Sequence, residues 1–438
     1  MITLSNEDHL LCLLNSYELN EKKRLLGRKI AMNPSFNWEH FFHLTKLNQT
    51  IPLTLKNLEK LDLEKYPVPS ELLEKSNRIR KHNETRHVTG LKMLKALSIA
   101  GIDVVVLKGF LFAEILYKDN GYKKMNDIDI LVEPKNVAKT LEVLEASGFY
   151  SFGKFLGMSS KVSNETHHTP PYLSHDGECM VGVHWNISSP KRHVKPDIKN
   201  MWLRKTKITI GDVPAFSFCP EDNVFHVAIH LPPFKTGVRE LADISNIILK
   251  AGASFDWGLL FSHTKKAKAY NAIYRALQYA AIIGDIKIPD HFLKKLLPKV
   301  SLATKTDLKI RFSKSEKILQ SRSVVLGKIE KSFISFLKSK NRKERITIWT
   351  SMMKTWLNPG YEEALKIIPF SENQIVTRTL APLALWKSMA NEYGYKNLTA
   401  ITAFHILETS KEFLYLKNSN DGPRFSKSPE AEALERLE

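Results

Sequence analysis

Two aspartates separated by one residue are the feature of the sequence best suited to chemistry. Asp127 and Asp129 lie in the segment NDIDILVEP, whose apolar residues and closing proline predict a short strand. Side chains two apart on a strand leave the same face, so the two carboxylates should converge. Because like charges repel and apolar neighbours penalise a buried charge, a cation is the natural compensation. We therefore expect Asp127 and Asp129 to hold Mg²⁺ (or Mn²⁺), which prefers such oxygen ligands.

A lysine–glycine pair follows the preceding predicted strand. The run IDVVVLKG has the β-branched residues of a buried strand, and FLFAEILY after it predicts a helix. Gly109 would let backbone N–H groups approach a phosphate closely at the helix start, where the dipole favours an anion. Lys108 adds a positive charge there. Each signal alone is weak, because two spaced acids also occur in exposed edges and turns, but their order in one segment is more specific.

The elements around these residues predict an α+β fold. Helical periodicity dominates the first hundred residues, a third strand is expected at Glu178 to Trp185, and helical periodicity returns from Pro220 to about Leu416. We divide the chain into an N-terminal helical region at 1–85, an α/β core with a mixed sheet at 86–218, a helical C-terminal region at 219–416 and a disordered polar tail at 417–438.

Three segments together resemble a known family. The stretches VVVLKGFLFAEILY and KKMNDIDILV, then a histidine pair and a strand ending VGVHW, are similar to the uncharacterised nucleotidyltransferase family, a branch of the polymerase-β-type nucleotidyltransferase superfamily. The resemblance covers roughly residues 35–250. It implies a minimal nucleotidyltransferase core, dependence on Mg²⁺ and an NTP as the donor substrate.

The sequence departs from this family at two positions. Lys123 stands where the family usually has arginine, which keeps the charge but loses bidentate phosphate recognition. Gly182 stands where the family tends to supply a third carboxylate, and Glu178, the nearest acid on that strand face, is about 13 Å away at roughly 3.3 Å per residue. His184 can substitute as a ligand or general base, with His168 as a second candidate. Both histidines can equally be hydrogen-bonded structural residues.

Further candidates come from the predicted helices after the sheet. His226 and His230 are four residues apart and share one helix face, where they would line the cleft together with Asp243 or simply pack. Arg239 is four residues before Asp243, so a salt bridge is the simplest interpretation, and a contact between Arg239 and the nucleotide phosphates is the alternative.

The composition points to an anionic partner without naming it. The formal charge is +19, and basic residues become denser after residue 260: Lys265, Lys266, Lys268, Lys294, Lys295, Lys338, Lys340, Arg342, Lys343 and Arg345. A solvated helical face explains them, as does a phosphate-rich substrate, RNA or an anionic membrane surface. No apolar run is long enough for a transmembrane segment and no secretory signal is evident, so we expect a cytoplasmic protein. The three separated cysteines suggest neither disulfides nor a zinc site.

The function predicted from these observations is Mg²⁺-dependent transfer of a nucleoside monophosphate from an NTP to an acceptor hydroxyl on a small molecule, a glycan or a macromolecule. Asp127, Asp129 and His184 would be catalytic, and Lys108, Gly109, Lys123 and Arg239 would bind the phosphates. Two alternatives stay open. The chain can be a nucleotide- or phosphosugar-binding protein that has lost turnover, as Gly182 suggests, or a nucleotidyltransferase that modifies RNA.

Overall fold

The structure is a computed structural model that describes residues 4–64, 66–152, 166–190, 194–231 and 237–301, with isolated positions between 304 and 350. The chain divides into two compact units, of which the first includes residues 1–300 and the second includes 301–314 and 322–426. All the helices and strands below belong to the first unit. The predicted helical region beyond residue 301 and the predicted polar tail otherwise lie outside the described residues, so the division of the chain into four regions stays a prediction.

Helices form the N-terminal part of this unit. They are α1 (Asn6–Leu14), α2 (Glu21–Ala31), α3 (Trp38–Leu47), α4 (Ile51–Glu59) and α5 (Ser70–Ile99). The side chains of Ser5, Asn20 and Asn37 cap the starts of α1, α2 and α3 by accepting hydrogen bonds from backbone N–H groups. In α3, the side chains of Phe41 and Phe42 are buried.

Seven strands form one mixed sheet in the described part of the chain. They are β1 (Val105–Val106), β2 (Ile128–Leu131), β3 (Phe149–Ser151), β4 (Tyr172–Ser174), β5 (Met180–His184), β6 (Thr206–Ile210) and β7 (Val213–Ser217). Their order across the sheet is β3-β4-β5-β2-β1-β7-β6. The pairs β2–β5 and β1–β7 are parallel, and the other pairs are antiparallel. The predicted α+β class is thus confirmed.

Some of the remaining helices pack on the sheet, and those after the last strand pack mainly on one another. The remaining helices are α6 (Lys108–Ile115), α7 (Val137–Ala146), α8 (Ile198–Leu203), α9 (Pro220–His230), α10 (Val238–Ala251), α11 (Trp257–Ala267), α12 (Tyr270–Gly284) and α13 (Asp290–Leu296). A Cβ atom built on Gly284 would lie 2.4 Å from Cβ of Ser245, so α10 and α12 approach too closely for a larger residue. Asn246 of α10 donates a hydrogen bond to the carbonyl of Asn15 at 3.0 Å, which joins the helices after the sheet to those before it.

Candidate active site

The two central strands β2 and β5 place an aspartate beside a glycine. Asp129 of β2 lies opposite Gly182 of β5 in the parallel register, and Leu131 lies opposite His184. His184 leaves the same strand face as Gly182, because residues two apart on a strand point the same way. The histidine can therefore reach back towards Asp129.

Asp129 has a partner for each of its carboxylate oxygens. Oδ1 is 3.0 Å from Nε2 of His184, and Oδ2 accepts a hydrogen bond from Nζ of Lys108 at 3.2 Å. Both partners favour the charged form, and they hold the pKa of Asp129 well below its ordinary value although burial raises it. Asp129 is thus ionised at neutral pH and is already compensated by a neighbouring cation.

Gly182 is what allows His184 to reach the aspartate. A Cβ atom at position 182 would lie 2.6 Å from Oδ1 of Asp129 and 3.1 Å from Nε2 of His184. Any side chain there would push the two groups apart, so the imidazole occupies the space that a third carboxylate would need. Glu178, the nearest acid along that strand face, instead pairs with Nδ1 of His82 at 2.8 Å.

Asp127 immediately precedes β2 and is electrostatically different from Asp129. Desolvation by the packing around its carboxylate, together with the charge of Asp129, raises its pKa to about 6, although Lys108 and Arg86 act in the opposite direction. The two acids therefore repel each other, as their spacing predicts. A cation bound between them would relieve this repulsion.

The turn between β1 and α6 carries its unusual backbone conformation at Lys108 rather than at Gly109. Lys108 has a φ of 42°, which is in the left-handed region that non-glycine residues seldom adopt. Gly109 does not have a positive φ, and a Cβ atom there would lie 3.3 Å from Cγ of Met125. From this turn, the ammonium group of Lys108 reaches Asp129.

Lys123 is not at this site. Its side chain is buried and its Nζ donates to Oδ2 of Asp243 at 2.6 Å, while Oδ1 of Asp243 accepts from the Tyr117 hydroxyl at 2.8 Å. Asn246 donates to the same hydroxyl at 3.1 Å. The structure therefore places this predicted phosphate ligand in a buried network that connects the segment before β2 to α10, because Asp243 is its nearest compensating charge.

The contacts of Arg239 are also with residues other than the two aspartates. Its guanidinium group contacts Glu240 at 2.5 Å and donates to Oε1 of Gln49 at 2.7 Å. The salt bridge expected between Arg239 and Asp243 does not form, since Lys123 occupies Asp243 and Glu240 is nearer to the arginine. Spacing along a helix predicted the wrong partner here.

Further histidines surround the pair formed by Lys108 and Asp129. His168 forms an isolated bridge with His184, and their ring centroids are 5.0 Å apart. The ring nitrogens of His230 are 3.3 and 3.4 Å from Nζ of Lys108. His226 is buried, and desolvation followed by the charge of Lys108 lowers its pKa well below the ordinary value, so the ring is neutral.

One residue at the site was missed by the sequence analysis. Arg86 of α5 donates from Nη1 to the carbonyl of Met125 at 3.2 Å, and its charge reaches Asp127. No motif contains it, because it lies 41 residues before Asp127 (127 − 86 = 41). The only sequence signal is a basic residue on a helix that leads into the sheet.

The two aspartates fit part of a magnesium site. Mg²⁺ commonly takes one or two carboxylates and completes its shell with waters and substrate phosphates, which Asp127 and Asp129 satisfy in ligand type and in mutual repulsion. Within the described ranges, however, no group of three or more His, Cys, Asp or Glu side chains has the arrangement of a metal centre. The third ligand of the superfamily has no carboxylate counterpart at Gly182.

A mixed sheet with Asp129 on a central strand and Asp127 just before it, beside a lysine–glycine turn, is consistent with a nucleotidyltransferase domain. The sequence matches the family described as uncharacterised nucleotidyltransferase over residues 34–284, and the chain belongs to that family. This confirms the predicted resemblance and supports a general function in nucleotidyl transfer with an NTP as substrate. No curated protein and no solved structure matches the chain. None of the helices in the described part of the chain is long and apolar enough to cross a membrane.

Proposed function

We propose that the protein is a Mg²⁺-dependent nucleotidyltransferase that moves a nucleoside monophosphate from an NTP to an acceptor hydroxyl, with release of pyrophosphate. The observation that carries the proposal is the arrangement around Asp129, where Lys108 and His184 each engage one carboxylate oxygen and Asp127 lies two residues away. The candidate groups for activating the nucleophile, neutralising charge and binding phosphate thus lie in one place.

Asp127 and Asp129 would hold the metal. A divalent ion bound there would neutralise the triphosphate and polarise the phosphorus that is attacked. Lys108 compensates Asp129 in the absence of that ion, and its ammonium group becomes available for the phosphates once another cation binds the carboxylate. The exchange of one positive charge for another keeps Asp129 compensated before and after substrate binding.

His184 is the candidate for the role that the missing carboxylate would otherwise play. Burial lowers the pKa of its imidazole although Asp129 acts in the opposite direction, so the ring is neutral at pH 7 and able to accept a proton. Its Nε2 orients Asp129 in the structure described here, and its Nδ1 is buried without a hydrogen-bond partner. Because the ionised Asp129 accepts this hydrogen bond, Nε2 carries the ring proton and Nδ1 has the lone pair. His184 would therefore orient the acceptor hydroxyl, or deprotonate it once a metal ion has taken its place on Asp129.

The test is pyrophosphate release by the purified protein from each of the four NTPs, with Mg²⁺ or Mn²⁺ and a panel of hydroxyl acceptors. Turnover that disappears in Asp129→Asn and persists in Lys207→Gln, an exposed basic residue of β6, would support the proposal. Turnover that is equal in Asp129→Asn and the wild type would refute it, because no other acid pair of this kind lies in the described sheet.

A binding protein without turnover is the second candidate, and Gly182 favours it. The acid that the superfamily uses is absent, and both oxygens of Asp129 already have protein partners. This alternative predicts NTP or phosphosugar binding in calorimetry with no pyrophosphate release under any acceptor or metal. Restored turnover with Mn²⁺ would exclude it.

The positive charge favours a third candidate, in which the acceptor is the 3′ end of an RNA. Lys265, Lys266, Lys268, Lys294 and Lys295 are exposed on and beside α11 and α13, with Lys266 paired to Asp197 at 2.5 Å. The basic positions between Lys338 and Arg345 lie outside the described residues. Retention on RNA should then weaken steeply as the salt concentration rises. Binding that is insensitive to salt would count against an RNA acceptor.

A further inference from the structure

Arg86 has the position of a site residue without being part of any motif around the aspartates. Its Nη1 donates to the carbonyl of Met125, two residues before Asp127. The residue is half-exposed, and its Nε is buried without a hydrogen-bond partner. A guanidinium group carries five N–H donors in a planar fork, so one bond to a carbonyl leaves most of them available.

A close approach between α5 and the sheet brings Arg86 to this place. A Cβ atom on Gly90 would lie 2.7 Å from Cδ1 of Ile128 and 2.9 Å from Cζ of Phe110, so α5 rests directly on β2 and α6. Arg86 precedes Gly90 by four residues and shares its helix face. One turn earlier, Asn83 donates to the carbonyls of Asn120 at 2.7 Å and of Lys123 at 2.6 Å. The whole face of α5 is therefore fixed against the segment that carries the aspartates.

Lys123, the cation that the family motif provides, is not available to bind a phosphate beside the aspartates. Lys123 is buried and bonded to Asp243, and removing it from that pair would leave a buried carboxylate without compensation. Of the two motif cations, Lys108 is the one that contacts an aspartate of the Asp127–Asp129 pair in the described part of the chain. A triphosphate carries more negative charge than a single lysine offsets, so a further positive side chain is needed beside Asp127.

We propose that Arg86 binds a phosphate group of the NTP donor, which makes the N-terminal helix α5 a part of the nucleotide site. The inference rests on the proposed function and adds to it a residue that no motif identifies. A guanidinium fork suits two phosphate oxygens at once, which an ammonium group at position 123 would not achieve.

The test is calorimetric binding of ATP, GTP, CTP and UTP, with Mg²⁺, to the full chain and its variants, followed by the di-, mono- and non-phosphorylated forms of the tightest nucleoside. Arg86→Gln should weaken NTP binding about tenfold or more, because a hydrogen bond between two charged groups is lost. The loss should shrink as phosphates are removed and vanish for the nucleoside. Arg86→Lys should be intermediate, since it keeps the charge and loses the fork.

Arg78→Gln is the matched control, because it removes the same charge from an exposed position of α5 about 12 Å earlier along the helix at 1.5 Å per residue. It should bind the NTP as the wild type does. Thermal unfolding of Arg86→Gln shows whether the variant is folded. If it is not, the binding of NTP to Arg86→Lys is the test.

Three results would overturn the inference. Arg86→Gln that binds the NTP within twofold of the wild type would show that the arginine contacts no phosphate. An equal loss for the nucleoside and its triphosphate would show a structural role only. A wild-type chain that binds no NTP would refute the proposed function itself, whereas normal wild-type binding with an unaffected Arg86 variant would refute the inference alone.

Discussion

Two lysine–carboxylate pairs lie within one fold and have opposite characters. The pair of Lys108 and Asp129 is 3.2 Å apart with 20% and 14% of the side chains exposed, while the pair of Lys123 and Asp243 is 2.6 Å apart with 6% and 4% exposed. The first lies at a strained turn with histidines around it. The second is completed by hydrogen bonds that involve Tyr117.

This difference in burial and hydrogen bonding indicates which of the two pairs can exchange its partner. A buried ion pair with satisfied hydrogen bonds is strongly destabilised when one partner is removed, so Lys123 and Asp243 must stay together. Lys108 keeps access to solvent and to His230, so its ammonium group can leave Asp129 when another cation arrives. We therefore interpret the first pair as functional and the second as structural.

Replacement of Asp129 should give the largest effect. Asp129→Asn should lower the rate of pyrophosphate release by about 10³-fold, since it removes a charged ligand that acts on the transition state. Its free energy of unfolding should fall by less than the loss of about 3–5 kcal/mol expected for a deeply buried ion pair, because the repulsion with Asp127 disappears together with the pair to Lys108. Kinetic assays and denaturant titration measure the two quantities. A large loss of stability would remove the contrast between the pairs.

Replacement of Asp243 should show the reverse. Asp243→Ala leaves the Lys123 ammonium group buried without compensation, which should lower the free energy of unfolding by about 3–5 kcal/mol. The midpoint of urea denaturation measures it. The double variant Lys123→Met/Asp243→Leu is the control and should recover much of that stability, as hydrophobic replacements of buried ion pairs often do. If the double variant does not recover stability, the pair has a role beyond mutual neutralisation of its two charges.

Insertion of a side chain at Gly182 should have a smaller effect. Gly182→Ala places a methyl group 2.6 Å from Oδ1 of Asp129, so His184 and Asp129 must separate. We expect a destabilisation of about 1–3 kcal/mol, typical of overpacking, and a loss of turnover. His184→Gln should match the loss of turnover without the steric cost. Full activity in Gly182→Ala would show that the contact between His184 and Asp129 is dispensable.

The smallest effect should be the pH dependence that Asp127 contributes. Its pKa is raised from 3.8 to about 6, so the native state holds this proton more tightly than the unfolded chain does. The contribution of Asp127 to stability therefore declines as the pH rises from about 4 to about 6 and is absent in Asp127→Asn. Metal affinity should change in the opposite direction and fall below pH 6, where protons compete for the carboxylate. The free energy of unfolding and the metal affinity of the wild type and of Asp127→Asn, measured between pH 4 and 8, test both trends.

Local spacing predicts that Lys108 and the two aspartates lie near one another, but it does not predict the contacts around them. The pairing of Asp127 with Asp129 and the position of Lys108 follow from a period of two on one strand and from a single turn before a helix. The hairpin of β6 and β7 was not predicted, although the alternation in TKITIGDVPAFS around Gly211, whose φ is 56°, is a hairpin signal. The resemblance assigns Lys123 to the phosphates, whereas its partner is Asp243, 120 residues away in sequence. Arg239 contacts Glu240 rather than Asp243, the partner that its helical spacing indicates.

The sequence by itself determined the family, the α+β class and the two aspartates with their neighbouring lysine, because these depend on short-range patterns of burial and charge. Only the tertiary structure decided which cation faces which acid. Lys123 meets Asp243 at a separation of 120 residues, and His184 reaches Asp129 only because β2 and β5 pair in parallel with a glycine between them. Arg86 joins the site through the close packing of α5 on β2. Such contacts depend on how elements pack, and packing is set by the sum of many distant side chains rather than by any local motif.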